Sequence, residues 1–327
     1  MTTKGVPIMA KDNSTTEPGQ YQHLFKELAG ALNEHIETKG QLDEAKVQAL
    51  VDQRITEARL PRTVEVHFGA DKVTKLTGRV HCQFDELLAL VDEGHQNILM
   101  VGPAGCGKTT LAKNLAEALS LDFGFLSLSA GVTETHLLGR MLPQPDGTWA
   151  YVPSRFVAIY ESGGVFLLDE MDAADSNLMV AVNAAIANGV LSNPINGKLY
   201  QRHAQTIIVG AANTYGRGGD HQYVGRNQLD AATLDRFVLT TVFVRYDTDL
   251  EGDIVRATLT NGHADELLNW IAELRGKITE NRLRRIASTR LAVHGAAAMK
   301  RGRTIEDVRG RYLRDWSADE LAKIGGA

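Results

Sequence analysis

The residues GPAGCGKT, from Gly102 to Thr109, most constrain the fold of this 327-residue chain. They follow the apolar run NILMV (97–101) and precede a helical pattern that begins TTLAKNLAEAL. A glycine-rich loop between a buried strand and a helix is typical of phosphate binding, because its backbone N–H groups can close around phosphate oxygens. In this pattern Lys108 places a positive charge near the β- and γ-phosphates, and the Thr109 hydroxyl can ligate magnesium.

The predicted phosphate-binding residues are the loop and the two threonines that follow its lysine. Cys106, one of only two cysteines, is interpreted as a small residue that suits the loop rather than as a redox switch. The full set is Gly102, Pro103, Ala104, Gly105, Cys106, Gly107, Lys108, Thr109 and Thr110.

Five short apolar runs, separated by helical patterns, follow one another along the middle of the chain. Runs this apolar predict strands buried on both faces of a parallel sheet, so we expect an α/β core. Beyond about Asp247 only helical patterns remain, which predicts a small all-helical domain after the sheet. The runs cover 97–101, 123–128, 164–169, 206–210 and 238–244.

The N-terminal region has a different pattern. Residues 1–20 are polar and small, and we interpret them as a disordered tail. Over 21–62, apolar residues recur at helical spacing with a break at Gly40, which predicts an N-terminal helical extension. This extension is either a helical pair packed on the core or an arm that recruits a partner. The expected domains are therefore 1–20, 21–62, an α/β domain over 63–246 and a helical domain over 247–327.

Polar residues lie at the ends of the third and fourth apolar runs and just before the fifth, at chemically useful places. VFLLDE ends a buried strand at two acids, where Asp169 can organise magnesium and Glu170 can polarise an attacking water. AANT places the amide of Asn213 where it can bond that water or the γ-phosphate. LDAATLDRF holds Arg236, which we interpret as acting on a neighbouring subunit's phosphate site, against the alternative of a surface salt bridge.

Together GPAGCGKTT, VFLLDE, AANT, LDAATLDRF and STR resemble the AAA+ ATPases over about residues 70–300, within their MoxR-type branch. ANTYGRGGDHQYVGRNQLDAATLDRF is especially similar to the cobaltochelatase small subunit. The resemblance implies a P-loop NTPase fold with a five-stranded parallel sheet and a helical lid, ATP and Mg²⁺ as cofactors, and a homo-oligomeric ring, expected to be a hexamer. It also implies that Asn213 is sensor 1, Arg236 the arginine finger, and Arg290 in STR sensor 2.

Two further segments are predicted to be hairpins, with turns at Asp146-Gly147 and Asn196-Gly197. The resemblance implies that such insertions face the central pore of a ring. Trp149 and Tyr151 on the first hairpin are then candidates to grip a substrate, against the alternative that they only pack.

The expected function is an ATP-driven, Mg²⁺-dependent motor subunit that remodels or activates a separate protein. The resemblance suggests metal or cofactor insertion, with a von Willebrand A domain protein as partner. The formal charge of -5 disfavours a constitutive nucleic-acid binder. Ten basic residues between Arg282 and Arg314 nevertheless leave a nucleic-acid motor or loader as the alternative.

Two other interpretations stay open. One is a true chelatase subunit that inserts cobalt into a corrin-type ring, and the other is a nucleotide-binding assembly protein without catalysis, which Asp169 and Glu170 disfavour. The sequence shows neither an apolar run long enough for a membrane span nor a signal-peptide pattern. We therefore expect a cytoplasmic protein without membrane association.

Overall fold

The structure is a computed structural model that describes residues 9–12, 63–68, 72–77, 80–259 and 262–325. The predicted helical extension over 21–62 lies outside the described residues, as does most of the predicted tail. Within that tail, Met9–Asp12 form strand β1, which pairs antiparallel with β2 (Thr63–Phe68), and β2 pairs antiparallel with β3 (Lys72–Thr77). This sheet was not predicted, and its first strand, MAKD, is too short and too polar to show an apolar alternation.

The remaining elements follow in chain order. The strands are β4 (Asn97–Val101), β5 (Phe123–Ser127), β6 (Arg140–Pro143), β7 (Trp149–Val152), β8 (Gly164–Asp169), β9 (Val190–Asn193), β10 (Lys198–Gln201), β11 (Thr206–Ala212) and β12 (Thr241–Phe243). The α-helices are α1 (Phe84–Asp92), α2 (Lys108–Leu119), α3 (Glu134–Leu138), α4 (Arg155–Ser162), α5 (Ser176–Asn188), α6 (Ala231–Asp235), α7 (Thr248–Thr258), α8 (His263–Glu280), α9 (Thr289–Lys300), α10 (Ile305–Tyr312) and α11 (Ala318–Lys323).

The central sheet confirms the predicted α/β fold with five parallel strands. Its five strands are all parallel and lie in the order β12–β4–β11–β8–β5. Every residue of β11 is buried, as expected for a central strand that is covered on both faces. Helices on the two faces pack into two separate apolar clusters. The last strand is shorter than the predicted 238–244, because the turn in which the Thr240 N–H donates to the Phe237 carbonyl occupies the residues before it.

Both predicted hairpins are present. Strands β6 and β7 pair around Asp146-Gly147, and β9 and β10 pair around Asn196-Gly197. The tyrosine of the first hairpin is not available for gripping: the Tyr151 hydroxyl donates to the Leu138 carbonyl and accepts a hydrogen bond from Asn193 Nδ2 at 2.7 Å. The prediction for Tyr151 is therefore corrected, because its polar end is already bonded inside the fold. Trp149 is 64% exposed.

The helical region after the sheet contains α7 to α11, with two apolar clusters of its own. Helix α10 was not predicted, since its sequence is strongly polar. A capping box sets its start, in which Thr304 and Asp307 bond each other's backbone N–H groups. Within the described ranges no helix is both long enough and apolar enough to cross a membrane.

Candidate functional site

The phosphate-binding loop leaves the end of β4 and enters α2 through left-handed glycines. Gly105 and Gly107 have φ of +73° and +104°, a region that glycine adopts without steric cost. A Cβ on Gly102 would lie 1.9 Å from the Val244 carbonyl oxygen, and one on Gly105 would lie 2.7 Å from the Ser288 Cβ. The glycines therefore allow the loop to lie directly against both the last strand and the helical region.

Lys108 is folded into this loop. Its Nζ donates to the carbonyl oxygens of Gly102 at 2.7 Å and Pro103 at 3.1 Å, and to Asn213 Oδ1 at 2.9 Å. The side chain is buried, and this burial lowers the pKa of Lys108. The ammonium thus links the loop to the amide at the end of β11, so two predicted site residues lie in direct contact.

The neighbouring Cys106 is also buried, and burial raises the pKa of its thiol. A thiol held in its protonated form is a poor nucleophile. This environment favours the interpretation of Cys106 as a small residue of the loop.

The two acids at the end of β8 have different surroundings. Asp169 Oδ2 accepts a hydrogen bond from Thr109 Oγ1 at 3.1 Å, and its Oδ1 accepts the Glu170 N–H at 2.9 Å. Glu170 itself has a left-handed backbone with φ +54°, which is uncommon for a residue with a side chain. This turn directs Asp169 to the phosphate-binding loop and leaves the Glu170 side chain about half exposed.

Thr109 and Asp169 are suited to Mg²⁺. The hydroxyl and the carboxylate oxygen are hard oxygen donors, and they already lie within hydrogen-bonding distance of each other beside the phosphate-binding loop. The residues present therefore fit the cation that the sequence predicts.

A second possible metal cluster consists of His81, Cys82 and Asp247, whose ligand atoms lie within 4.8 Å of one another. Its polar atoms already have structural partners. Asp247 accepts the N–H groups of Cys82 at 2.7 Å and Leu250 at 2.9 Å, and His81 Nε2 bonds to the Arg245 carbonyl at 3.1 Å. This cluster therefore joins the start of the α/β core to the start of α7.

A third acid, Asp172, supports the site through hydrogen bonds and an ion pair. No role was predicted for Asp172 from the sequence. It is fully buried, and its Oδ2 accepts hydrogen bonds from the Asn213 N–H, the Thr214 N–H and the Thr214 hydroxyl at 3.0, 2.8 and 2.9 Å. Its Oδ1 lies 3.4 Å from Arg226 Nη1, which also lies 3.5 Å from Glu170 Oε2. Asp172 therefore fixes the end of β11, and Arg226 ties it to Glu170.

Two tyrosine hydroxyls hold the peptide units on either side of Ala104 in the phosphate-binding loop. The Ala104 N–H donates to the Tyr223 hydroxyl at 2.9 Å, and the Tyr246 hydroxyl donates to the Ala104 carbonyl at 3.0 Å. Burial raises the pKa of both tyrosines, so both hydroxyls stay protonated. Neither tyrosine was predicted to belong to the site, although Tyr223 lies in the segment that resembles the cobaltochelatase small subunit.

Arg275 of α8 connects Tyr246 to the helical region. Its guanidinium lies 4.3 Å from the centre of the Tyr246 ring and forms a two-pronged ion pair with buried Glu251 at 3.0 and 2.8 Å. Its Nε also donates to the Ala287 carbonyl at 2.6 Å, directly before the serine that caps α9. The phosphate-binding loop is therefore connected through side chains to the start of the helix that carries Arg290.

These elements surround a cavity of about 790 Å³ between the α/β core and the helical region. Asp169, Glu170, Asn213 and Arg290 line it, together with residues 104–110 of the loop and its following helix. Gly102 and Pro103 belong to the same loop but are not among the residues that line the cavity. Its remaining wall is partly apolar and includes Leu250, Ile254 and Val293.

Arg236 lies elsewhere. It lines a separate depression that begins at Asn97, the first residue of β4, whereas the phosphate-binding loop leaves the last residue of that strand. A five-residue strand separates these positions by roughly 13 Å. The Arg236 guanidinium donates to the Ala232 carbonyl of its own helix, and its buried Nε has no hydrogen-bond partner among the described residues. The structure therefore does not bring Arg236 to the cavity of its own chain.

Part of the chain is similar in sequence to known proteins. A family model described as AAA domain (dynein-related subfamily) matches residues 97–237. An uncharacterized protein of Staphylococcus saprophyticus is 23% identical over 167 residues, which cover 50% of this chain and 60% of that protein. One of Staphylococcus aureus strain USA300 is 25% identical over 178 residues, 53% of this chain and 63% of that protein. The chain thus spans about three fifths of the length of these relatives.

Two solved structures are similar in part. A proposed ATPase from Cytophaga hutchinsonii has a TM-score of 0.42 and 18% identity, with 70% of this chain and 78% of that chain covered. A point mutant of RuvB from Thermotoga maritima has a TM-score of 0.43 and 19% identity, with 73% and 69% covered. The segment over residues 97–237, which contributes four of the five strands of the central sheet, is thus similar to the AAA domain of the dynein-related subfamily.

Proposed function

We propose that this protein is an ATP-hydrolysing, ring-forming AAA+ subunit that remodels or activates a separate partner protein. The observation that carries the proposal is that Lys108, Glu170 and Arg290 line one cavity although they come from the loop, the sheet and the helical lid. A cavity that brings a cation and a carboxylate together between the α/β core and the helical region suits a reaction that couples phosphate chemistry to domain motion.

Each residue has a role that follows from its position. Lys108 stabilises negative charge on the terminal phosphates, and Asn213, its hydrogen-bond partner, orients the attacking water. Glu170 accepts the proton of that water. Mg²⁺, held by Thr109 and Asp169, would neutralise phosphate charge when bound. Arg290 contributes a further positive charge from the lid.

The position of Arg236 supports a ring. Because it lies near the opposite end of β4 from its own phosphate-binding loop, it can act as an arginine finger only on the site of a neighbouring copy. We therefore propose a homo-oligomer, a hexamer by family resemblance, in which each site combines residues of two subunits.

The two hairpins offer a surface for the partner. Trp149 on the first hairpin and Leu199 on the second are 64% and 67% exposed, and the contact between Asn193 and Tyr151 holds the hairpins together. Exposed aromatic and aliphatic side chains on a rigid support suit a protein partner. We propose a metal- or cofactor-inserting system with a von Willebrand A domain protein as the finer assignment.

The basic stretch of the lid does not favour a nucleic-acid motor. Arg285 pairs with Asp315 at 2.7 Å and Glu320 at 2.9 Å, and Arg290 faces the cavity. Part of the positive charge that suggested a nucleic-acid surface is therefore already neutralised or directed inward.

Mixing two inactive variants tests hydrolysis and the ring together. Arg236→Ala keeps its phosphate-binding loop and Lys108→Ala keeps its finger, so we expect both to be inactive alone and partly active when mixed. Loss of the finger should cost about 10³-fold in turnover. Arg301→Ala, an exposed lid arginine outside both depressions, serves as the control and should keep wild-type turnover. A mixture that exchanges subunits and yet stays inactive would refute the shared site.

Affinity capture tests the partner. Glu170→Gln should bind ATP without hydrolysing it and therefore retain the partner, whereas Lys108→Ala should retain none. Recovery of a von Willebrand A domain protein supports the finer assignment. Recovery of nucleic acid alone contradicts protein remodelling.

A further inference from the structure

Residues 220–227 form one connected segment between β11 and α6, which we call the bridging segment. Asp220 shapes its first turn by accepting the N–H groups of Gln222 at 2.8 Å and Tyr223 at 2.7 Å. A Cβ on the adjacent Gly219 would lie 2.7 Å from the Val224 carbonyl oxygen, so the backbone is closely folded. The side chains of the segment therefore have defined directions.

The first side chains reach the lid and the phosphate-binding loop. Gln222 Nε2 donates to the carbonyl oxygens of Leu283 at 3.4 Å and Arg285 at 3.2 Å, which lie between α8 and α9 of the lid. The next residue, Tyr223, accepts the Ala104 N–H of the phosphate-binding loop at 2.9 Å. One turn of chain thus contacts both sides of the cavity.

The last charged side chain of the segment reaches Glu170. Arg226 Nη1 lies 3.5 Å from Glu170 Oε2 and 3.4 Å from Asp172 Oδ1, with side-chain exposures of 14%, 46% and 0% for Arg226, Glu170 and Asp172. Asp172 is fixed, because its other oxygen accepts three hydrogen bonds. Arg226 is therefore anchored to a buried carboxylate, and Glu170 is the half-exposed partner that can move.

We propose that Arg226 is a positioning residue that holds Glu170 back from the reacting water, and that lid motion transmitted through Gln222 releases it. The inference rests on the proposed ATPase function. Glu170 is among the described residues that line the cavity and Arg226 is not, so the attraction acts away from the cavity. The long contact and the partial exposure of Glu170 make this a weak ion pair that can open and close.

Arg226→Gln directly tests whether the charge of Arg226 keeps Glu170 away from the reacting water. The substitution keeps a polar side chain beside Asp172 and removes the charge that attracts Glu170. We expect kcat for ATP to rise about two- to fivefold, the range expected for a partly exposed ion pair, with an unchanged KM. Arg226→Lys restores a cation at this place and should return kcat to the wild-type value. A residue with only a structural role would lower kcat on substitution and would not be rescued in this way.

Gln222→Leu tests the connection to the lid. It removes the two hydrogen bonds to the lid carbonyls and should also raise kcat. In the Gln222→Leu/Arg226→Gln double variant the two increases should not multiply, because both changes release the same carboxylate. Gln228→Leu is the matched control, since Gln228 Nε2 donates to the Arg217 carbonyl of its own loop rather than to the lid. Its kcat should equal that of the wild type.

Two measurements separate the possible failures. Wild-type turnover that is lost in Glu170→Gln establishes the proposed ATPase, and its absence in wild type overturns the proposed function and this inference with it. If the ATPase stands and Arg226→Gln, with a wild-type melting temperature, shows an equal or lower kcat, only the hold on Glu170 is refuted. If Arg226→Gln melts early, Gln222→Leu decides: an unchanged kcat in that variant refutes the inference.

Discussion

Replacing Asp172 with alanine should destabilise the fold far more than the loss of an ordinary surface acid. The change removes the acceptor of three hydrogen bonds, at 3.0, 2.8 and 2.9 Å, from the end of β11. It also removes the buried counter-charge of Arg226. Breaking a buried ion pair on one side costs about 3–5 kcal/mol, because the remaining charge loses its partner. We therefore expect a loss of about 4 kcal/mol in the free energy of unfolding.

Asp175→Ala is the matched control on the same segment. Asp175 caps α5 with one hydrogen bond, from the Asn177 N–H at 2.9 Å, and it is only partly buried. Loss of such a cap costs about 1 kcal/mol. Asp172→Asn should fall between the two, because its amide keeps an acceptor for the three donors but turns its NH₂ group toward Arg226.

Urea unfolding followed by circular dichroism measures the three variants on one scale. The midpoint should fall in the order wild type, Asp175→Ala, Asp172→Asn, Asp172→Ala, with similar slopes. Differences in midpoint are the quantity to compare, because the α/β core and the helical region after it can unfold in separate steps. A midpoint for Asp172→Ala at or above that of Asp175→Ala would refute the reasoning, since the buried carboxylate would then contribute no more than a partly buried cap.

The remaining predictions concern nucleotide, lid and pH. Lys108→Ala should lose ATP binding whereas Glu170→Gln should bind ATP and stall, as measured by fluorescent-nucleotide titration beside turnover; equal affinity of Lys108→Ala and wild type would contradict the assignment. Arg290→Ala should lower turnover with an unchanged melting temperature, and wild-type turnover together with wild-type nucleotide affinity would make Arg290 an ordinary surface residue. Hydrogen bonds from Arg285 and then from the Ser317 N–H lower the pKa of Glu320 from 4.5 to about 2. The contribution of Glu320 to stability is thus present above pH 4.5 and lost as the pH falls toward 2. The difference in melting temperature between wild type and Glu320→Gln should therefore shrink as the pH falls through that window. A difference that grows over the same window would contradict this prediction.

The central sheet could be predicted because its signal is local. NILMV, GVFLLD and TIIVG each bury nearly every residue, so their apolar composition alone distinguishes them from amphipathic helices. The hairpin turns were equally local, since Asp-Gly and Asn-Gly favour the backbone of tight turns. The direction of the Tyr151 side chain could not be predicted from the local sequence. It depends on Asn193, 42 residues away, and no pattern around either residue indicates that contact.

The residues of the candidate site also differ in whether a local sequence pattern indicates them. Lys108, Asp169 and Glu170 could be predicted because each lies at or shortly after the carboxyl end of a strand, and parallel strands bring these ends to one edge of the sheet. Asp172 and Arg226 are 54 positions apart, and nothing in the sequence around either residue indicates that they form an ion pair. A buried carboxylate is tolerated only with donors and a counter-charge around it, and those come here from β11 and from the bridging segment. The roles of Asp172 and Arg226 can therefore be assigned only once the fold is known. The ion pair with Arg226 that compensates the buried charge of Asp172 also places a cation beside Glu170.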